Sequence, residues 1–299
     1  MYVCQRQSAW LLSILLTGTL GARAIAAEQW WPPITDPSTG THQPGRFVWA
    51  ELLTRDVGRA AEFYGQVFGW TYETFGPEDD LKTYTIVSSG GYPIAGMTFT
   101  QSDDVSTSRD ARWVGLLSVA DVDAAARQVK QTGGRVLFVP TTLGQRGRAA
   151  LFADPEGAIF GVIRSATGDP EEWIGADNQW LWIELWSDDP AKMAAFYRPL
   201  GGYEIVQGTI PGETSGVHLV AVGAPRAGIL KKPAPVPSTW VPYVRVASVT
   251  ETVARARAAG GTIVLEPMRA HGTNVALILD PTGAPLAVAE WSKSREVSR

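Results

Sequence analysis

The sequence predicts an α+β protein made of four βαβββ units arranged as two similar domains. The first observation is a repeat: most of FVWAELLTRDVGRAAEFYGQVFGW, from Phe47 to Trp70, recurs as WLWIELWSDDPAKMAAFYRPLGGY, from Trp180 to Tyr203. The second is that each copy is followed by short strand-like runs and then by a further unit of the same pattern. The third is a turn sequence, Asp-Pro-x-Gly, near the end of each domain. Repetition on this scale predicts two domains of one kind.

The first unit opens with a strand and a helix that have different periodicities. Side chains alternate from Phe47 to Leu53, and this alternation places Trp49 and Glu51 on one face of the strand. An amphipathic helix follows, for which Thr54 or Asp56 is the expected N-cap. Three strands are predicted after it, near residues 71–75, 83–88 and 94–100.

The remaining units follow the same plan. The second has a strand at 113–119, a helix that begins at Asp121, and strands near 135–139, 149–153 and 158–163. The third has a strand at 180–186 and a helix capped by Asp188 or Asp189, which Pro199 and Gly201-Gly202 should cut short. The fourth mirrors the second, since Trp240 corresponds to Trp113 and the sequence DPTG at 280–283 corresponds to DPEG at 154–157.

The amino terminus has the features of a secretion signal. Arg6 precedes an apolar run from Ala9 to Leu20, and small residues lead to a cleavage site near Ala26. The run is too short to span a bilayer, so we expect no membrane attachment after cleavage. Cleavage removes Cys4, the only cysteine in the chain, and leaves no disulfide. A periplasmic or secreted location is therefore expected.

These features divide the chain into six segments. They are a signal peptide (1–27), an extended leader (28–46), a first domain (47–165), a linker (166–179), a second domain (180–292) and a short tail (293–299). The leader lacks periodicity, and its Trp30 and Trp31 are expected to pack on a domain surface.

Charge and composition narrow the classes of molecule that the protein is expected to bind. The chain has 26 Lys and Arg against 30 Asp and Glu, so it lacks the positive field that nucleic acid binding requires. Hydrophobic residues make up 45% of the sequence, which is typical of globular domains that bury a full core. A small-molecule ligand is the expected partner. The oligomeric state is left open.

The ordered series resembles the glyoxalase, bleomycin-resistance and extradiol-dioxygenase superfamily, also called the vicinal oxygen chelate fold. The resemblance rests on Glu-Leu before an Asp, Phe-Tyr on the first helix and Asp-Pro-x-Gly before the last strand, each present twice over about residues 47–291. It is closest to the bacterial branch with two such domains in one chain. The resemblance implies that paired units enclose a cleft, and that catalytic members bind a divalent metal there.

The same resemblance implies where metal ligands should lie, and this sequence departs from it. The first-strand position, commonly His, falls on Trp49 and Trp182; the matching strand of the partner unit offers Val114 and Val241. The last-strand carboxylate position falls on Gly161 and Ala287. None of these side chains binds a divalent ion. We therefore expect no metal at these positions and no cofactor.

Two glutamates remain as candidates for chemistry. Glu51 and Glu184 follow the lost ligand positions by two residues and share their strand face with Trp49 and Trp182. Each is a structural carboxylate paired with a partner, or else a general base or ligand anchor. In the second domain, strand alternation adds Tyr243 and Arg245 to this face. There we predict either an aromatic ligand pocket with a fixed cation or a salt bridge from Glu184 to Arg245.

Three functions remain open from these residues. The first is an exported, metal-free protein that binds a small, partly aromatic or apolar molecule in its clefts. The second is a lyase or dioxygenase with unorthodox metal ligands in the second domain, for which His218, His271 and Glu184 are the available donors. The third is a metal-independent enzyme that uses Glu51 or Glu184 as its base.

Overall fold

A computed structural model describes residues 31–76, 83–100, 111–172, 175–208, 216–233, 235–270 and 272–291. The predicted signal peptide and tail lie outside these residues. Within the described ranges, no helix has both the length and the apolar character needed to cross a membrane.

The first half of the chain contains two βαβββ units. The first unit comprises β1 (Phe47–Thr54), α1 (Val57–Phe68), β2 (Thr71–Phe75), β3 (Tyr84–Ser89) and β4 (Tyr92–Phe99). The second comprises β5 (Arg112–Ser118), α2 (Val122–Gln131), β6 (Arg135–Thr142), a 3-10 turn (Gly144–Arg146), β7 (Gly147–Ala153) and β8 (Ile159–Ser165).

The second half repeats this order. The third unit comprises β9 (Trp180–Ser187), α3 (Pro190–Gly201), β10 (Glu204–Gly208), β11 (Gly216–Ala221) and β12 (Ala224–Lys231). The fourth comprises β13 (Thr239–Val246), α4 (Val249–Ala258), β14 (Thr262–Ala270), β15 (Thr273–Leu279) and β16 (Pro285–Glu290). The predicted α+β class and the four βαβββ units are confirmed.

Each pair of units forms one mixed sheet of eight strands. The strand order is β2-β3-β4-β1-β5-β8-β7-β6 in the first sheet and β10-β11-β12-β9-β13-β16-β15-β14 in the second. The opening strands of the two units pair antiparallel at the centre, with Glu51 opposite Val114 and Glu184 opposite Val241. Each opening strand also pairs in parallel with the last strand of its own unit.

The helix ends follow their sequence signals with one exception. Asp56 caps α1 by accepting a hydrogen bond from Arg59 N, and Asp189 caps α3 in the same way from Lys192 N. The prediction that Gly201-Gly202 ends α3 is confirmed, whereas Pro199 does not end it, because the helix continues to Gly201. Pro199 lies in the last turn, and Gly202, with a φ of 65°, ends the helix in the left-handed conformation.

Helices cover one face of each sheet, and the two helix-covered faces share their hydrophobic cores. One core joins residues of α2 in the first domain to residues of α3 in the second, with Phe160 packed against Phe196 and Tyr197. The other core joins α1 to α4. The opposite faces bear separate clusters, around Trp49 in the first sheet and Tyr243 in the second. These helix-free faces are the two predicted clefts.

The repeated Phe-Tyr and Asp-Pro-x-Gly motifs meet across the domain interface rather than in a cleft. Tyr197 Oη donates to Asp154 Oδ2 at 3.0 Å and accepts from Trp240 Nε1 at 3.0 Å. In the corresponding place, Trp113 Nε1 donates to Tyr64 Oη at 2.7 Å within the first domain, and burial together with Asp280 of the second domain raises the pKa of Tyr64 well above its ordinary value. Burial raises the pKa of Asp154 to about 6, although the bond from Tyr197 opposes this. These motifs therefore hold the two domains together.

Candidate ligand-binding clefts

The first cleft is the helix-free face of the first sheet, which curves enough to bring its two halves together. Tyr84 lies in β3, near one edge, whereas Arg146 lies in the turn before β7, near the other. The Arg146 Cζ atom nevertheless lies 4.7 Å from the centre of the Tyr84 ring and 4.6 Å from that of Trp49. Arg146 is fully buried against these rings. The guanidinium thus makes cation–π contacts with two adjacent aromatic rings, away from solvent.

Glu51 projects into the first cleft beside Trp49. Its Oε1 accepts a hydrogen bond of 2.7 Å from Tyr84 Oη, which in turn accepts one of 3.1 Å from Trp49 Nε1. The same Oε1 lies 3.6 Å from Arg146 Nη1. Burial raises the pKa of Glu51 to about 7, and this outweighs the opposing effects of Arg146, Tyr84 and Trp49. The carboxyl group is therefore able to gain or lose a proton near neutral pH.

A glycine makes the contact between Glu51 and Tyr84 possible. Gly96 in β4 pairs with Glu51 on one side and with Ile86 of β3 on the other. A Cβ atom at Gly96 would lie 1.7 Å from Tyr84 Oη and 2.5 Å from Glu51 Oε2. The Tyr84 hydroxyl thus occupies the space that the side chain of any residue other than glycine would fill at position 96.

The leader enters the first cleft, so the prediction that it packs on a domain surface is wrong for Trp31. The Trp31 ring lies 4.5 Å from the Tyr84 ring, centre to centre, and Ile34 is buried in the same cluster. Arg146 Nε donates a hydrogen bond of 2.8 Å to Pro32 O. The chain's own segment therefore fills part of this cleft. Trp30 lies outside the described residues.

The second cleft is the helix-free face of the second sheet. Tyr243 Oη of β13 donates a hydrogen bond of 2.6 Å to Glu184 Oε2 of β9, and both residues are buried. Trp182 is half-buried on the same face, with its ring centre 6.2 Å from that of His218. His218 lies level with Glu184, because Gly228 of β12 pairs with both. The second cleft thus combines a buried carboxyl group with partly accessible aromatic rings.

Arg245 does not join Glu184, so the predicted salt bridge between them is wrong. Arg245 Nε lies 3.0 Å from Asp177 Oδ1, and Arg245 Nη1 donates to Gly175 O at 3.1 Å. Strand alternation correctly places Arg245 on the strand face of Tyr243, but its side chain turns to the segment that precedes β9. The fixed cation predicted for the second cleft is found in the first, at Arg146.

A further cavity of about 270 Å³ lies between the two domains. Its apolar wall includes Phe47, Trp113, Trp180 and Ile183, and its charged groups are Arg46, Glu171, Glu172 and Arg226. Arg226 bonds Glu172, and Arg46 donates to Gln43 Oε1 and Pro170 O. Because both cations already have partners in the protein, the cavity makes a weaker case for a functional site than the clefts.

Both halves of the chain match known families. The Glyoxalase/Bleomycin resistance protein/Dioxygenase superfamily matches residues 46–162, and a glyoxalase-like domain family matches residues 182–289. The anthracycline biosynthesis protein DauV of Streptomyces sp. (strain C5) is 31% identical over 260 residues, which cover 83% of this chain and 94% of that protein. The chain belongs to the glyoxalase, bleomycin-resistance and dioxygenase superfamily.

Other members of the superfamily share the whole two-domain arrangement. CFP32 of Mycobacterium tuberculosis (strain CDC 1551 / Oshkosh), named as a glyoxylase, is 28% identical over 254 residues, covering 84% of this chain and 97% of that protein. The Mn(II)-bound glyoxalase from Novosphingobium aromaticivorans has a TM-score of 0.55 at 18% identity, covering 83% of this chain and 82% of that chain. A homoprotocatechuate 2,3-dioxygenase variant from B. fuscum has a TM-score of 0.58 at 14% identity, covering 84% of this chain and 72% of that chain. These structures establish the shared fold.

The superfamily's metal positions are occupied by residues that do not fit a divalent ion. Trp49, Val114 and Val241 are buried apolar residues. A Cβ atom at Gly161 would lie 2.2 Å from Leu116 Cδ2, so the leucine fills the space of a last-strand side chain. Ala287 offers no donor. In the part of the chain that the structure describes, no three His, Cys, Asp or Glu side chains are grouped to hold a metal. His271, one of the alternative ligands, lies outside those residues.

The two residues that sequence reasoning missed are Tyr84 and Arg146. Neither follows a motif, and the curvature of the sheet brings them to Glu51 from opposite directions. The available signal was the buried glutamate itself, because an inward carboxylate requires a donor or a cation. That requirement does not say which residue meets it.

Proposed function

We propose that this protein is an exported, metal-independent member of the superfamily that binds a small, partly aromatic or apolar molecule in its second cleft. The observation that carries the proposal is the half-buried Trp182 beside the buried pair of Glu184 and Tyr243. Aromatic surface supplies apolar contact area, and a buried carboxyl group supplies a directed polar contact. This combination of apolar walls and few polar groups is typical of small-molecule sites.

Further support comes from residue chemistry and from the relatives. The superfamily's metal positions have side chains that do not bind metals. Relatives named for anthracycline biosynthesis make aromatic compounds the first class of ligand to test. Export rests on the predicted signal peptide, and fusing residues 1–27 to a periplasm-dependent reporter enzyme tests it. Absence of reporter activity outside the cytoplasm would contradict export.

Binding is tested with protein that starts at Glu28, titrated calorimetrically with an anthracycline and a panel of smaller aromatic compounds. We expect binding by a compound of this class, and we expect Trp182→Ala to weaken it at least tenfold by removing aromatic surface. Val139→Ala, at a position that is 64% exposed in β6, is the matched control and should leave binding unchanged.

Metal dependence is tested on the same protein. We expect EDTA to leave binding unchanged and elemental analysis to find no stoichiometric divalent ion. A stoichiometric metal whose removal abolishes binding would instead favour the lyase or dioxygenase function. Failure of every compound in the panel to bind would overturn the ligand-binding function.

A second candidate is metal-independent proton transfer at Glu51, which its pKa of about 7 favours. A base near the operating pH is well suited to removing a proton next to a carbonyl group. The assay is α-proton exchange of aromatic carbonyl compounds in D₂O, followed by NMR. We expect Glu51→Gln to abolish exchange while the protein stays folded, and equal exchange by both proteins would exclude Glu51.

A further inference from the structure

We propose that the first cleft is a second ligand site, specific for an aryl carboxylate, which the segment Trp31–Ile34 covers by imitating such a ligand. The inference is independent of the second-cleft function. It starts from the contacts of the segment: an aromatic ring on Tyr84 and a carbonyl oxygen on Arg146 Nε. A ring joined to an oxygen acceptor is also the chemistry of a small aryl carboxylate.

The strongest sign of a ligand is the unsatisfied guanidinium of Arg146. Among the described residues, neither Nη1 nor Nη2 has a hydrogen-bond partner, although the side chain is fully buried. Glu51 Oε2 is also buried without a hydrogen bond in the same part of the structure. Glu51 Oε1, at 3.6 Å from Nη1, balances the charge of Arg146 but lies beyond hydrogen-bond distance, and buried polar groups are nearly always hydrogen-bonded. The segment therefore meets only part of what the cleft offers.

A carboxylate would accept hydrogen bonds from more of the Arg146 N–H groups than the Pro32 carbonyl does. A guanidinium presents parallel N–H groups that match both oxygens of a carboxylate, whereas a peptide carbonyl supplies a single oxygen. Contacts with the Trp49 and Tyr84 rings and the bond from Nε to Pro32 O hold the guanidinium in place, so its donors are already oriented. Binding by an oriented group loses little conformational freedom.

Glu51 would accommodate the added negative charge by taking up a proton. The titratable groups that face it are Tyr84 from β3 and Arg146 from the turn before β7. Its pKa is already about 7 because of burial, and a second carboxylate beside Arg146 would raise that pKa further. Carboxylate binding should then consume a proton from solution near pH 7.

The segment has few polar contacts with the domain it covers. From Thr35 onward the leader is tied to the loop after β8: Thr35 Oγ1 donates to Thr167 O, and Thr39 Oγ1 donates to Asp169 O. Between residues 31 and 34, one hydrogen bond, from Arg146 Nε to Pro32 O, joins the segment to the rest of the described chain. Few hydrogen bonds therefore oppose local opening at Trp31 and Pro32, whereas Ile34 stays anchored by its burial.

The probe is 5-fluoroindole-3-acetate. Its indole is expected to replace the Trp31 ring, and its carboxylate is expected to bind Arg146. Binding to protein that starts at Glu28 is followed by fluorine NMR and calorimetry, with 5-fluoroindole-3-acetamide as the neutral match. We expect Trp31→Ala to tighten binding of the acetate at least tenfold, because the competing ring is gone. The acetamide should bind at least tenfold more weakly than the acetate.

Variants of Arg146 and a change of buffer complete the test. Arg146→Lys keeps the charge but loses the paired donors, and it should weaken acetate binding at least tenfold in the Trp31→Ala background. Calorimetry in buffers of different ionisation enthalpy should show proton uptake that Glu51→Gln removes. Circular dichroism confirms that each variant is folded. If Arg146→Lys does not fold, the proposal is still tested by two measurements on Trp31→Ala. They are the ratio of its affinities for the acetate and the acetamide, and its proton uptake on binding the acetate.

Three outcomes would overturn the proposal. They are no acetate binding by Trp31→Ala, equal binding of acetate and acetamide, or binding unchanged by Trp31→Ala. Trp182→Ala separates the two clefts, since it should leave acetate binding intact while weakening the second-cleft ligand. Failure at one cleft is therefore distinguishable from failure at the other.

Discussion

The two clefts begin from the same strand motif and stabilise its glutamate by different means. In the first cleft, the hydroxyl donor to Glu51 is Tyr84 of β3, and Arg146 lies nearby as a cation. In the second, the donor to Glu184 is Tyr243 of β13, on the other side of β9 in the sheet. The buried glutamate at this strand position thus accepts a hydrogen bond from a tyrosine two strands away in the first sheet and on the adjacent strand in the second.

The difference also underlies the two functions that we propose for the clefts. The first buries its tryptophan, Trp49, and admits the leader, whereas the second leaves Trp182 half-buried. Accessible aromatic surface favours the second cleft for ligand binding, and orphaned donors favour the first for a carboxylate once the leader moves aside. Under these two proposals, one motif supports two sites with different chemistry.

The largest expected effect comes from removing the cation of the first cleft. Arg146→Met should lower the free energy of unfolding by about 3 to 5 kcal/mol, because Glu51 loses its buried partner. The matched variant Arg245→Met breaks an ion pair with Asp177, whose side chain is 47% exposed, and should cost about 1 kcal/mol or less. Urea unfolding of both variants measures the difference. Equal losses would mean that Arg146 is no more important than a surface arginine.

A smaller difference should separate the two glycines beside the glutamates. Gly96→Ala should cost about 3 kcal/mol, because its Cβ would lie 1.7 Å from Tyr84 Oη. At Gly228 the nearest atom to a new Cβ is Glu184 Cγ, at 3.3 Å, so Gly228→Ala should cost about 1 kcal/mol or less. Thermal and urea melts compare the pair. The comparison of the clefts fails if Gly228→Ala is the more damaging.

The third prediction concerns pH. Burial raises the pKa of Glu51 to about 7 from an ordinary value of 4.5, so the folded state binds this proton more tightly than the unfolded state. Its contribution to stability is therefore full below pH 4.5 and falls by up to about 3 kcal/mol as the pH rises to 7. Burial also raises the pKa of Asp154, to about 6, so Asp154 adds a decline in stability at lower pH than Glu51 does.

Glu51→Gln isolates this effect. We expect the variant to lose the part of the decline that lies between about pH 6 and 7, where Asp154 contributes little. Urea unfolding at several pH values between 4.5 and 7.5 measures it. Glu62→Gln on exposed α1 surface controls for the loss of one carboxyl group. An unchanged slope in the Glu51→Gln variant would show that Glu51 does not titrate in this range.

Much of the fold was predictable because its signals are local or repeated. The alternation of β1, the Asp56 and Asp189 caps and the duplicated turns depend on neighbouring residues. The direction of Arg245 was not predictable in the same way. Alternation assigns a face of the strand, but a long side chain near the strand end can turn to any partner in reach, and Asp177 is the one it meets.

The sequence by itself determined the two-domain superfamily fold, the strand faces of Trp49, Glu51, Trp182 and Glu184, and the lack of metal-binding residues at the expected positions. Only the tertiary structure decided that Tyr84 and Arg146 meet Glu51 and that Trp31 enters the first cleft. The physical reason is the distance along the chain over which each kind of signal acts. Periodicity and capping act over a few residues, whereas the curvature of an eight-stranded sheet joins groups from its two halves.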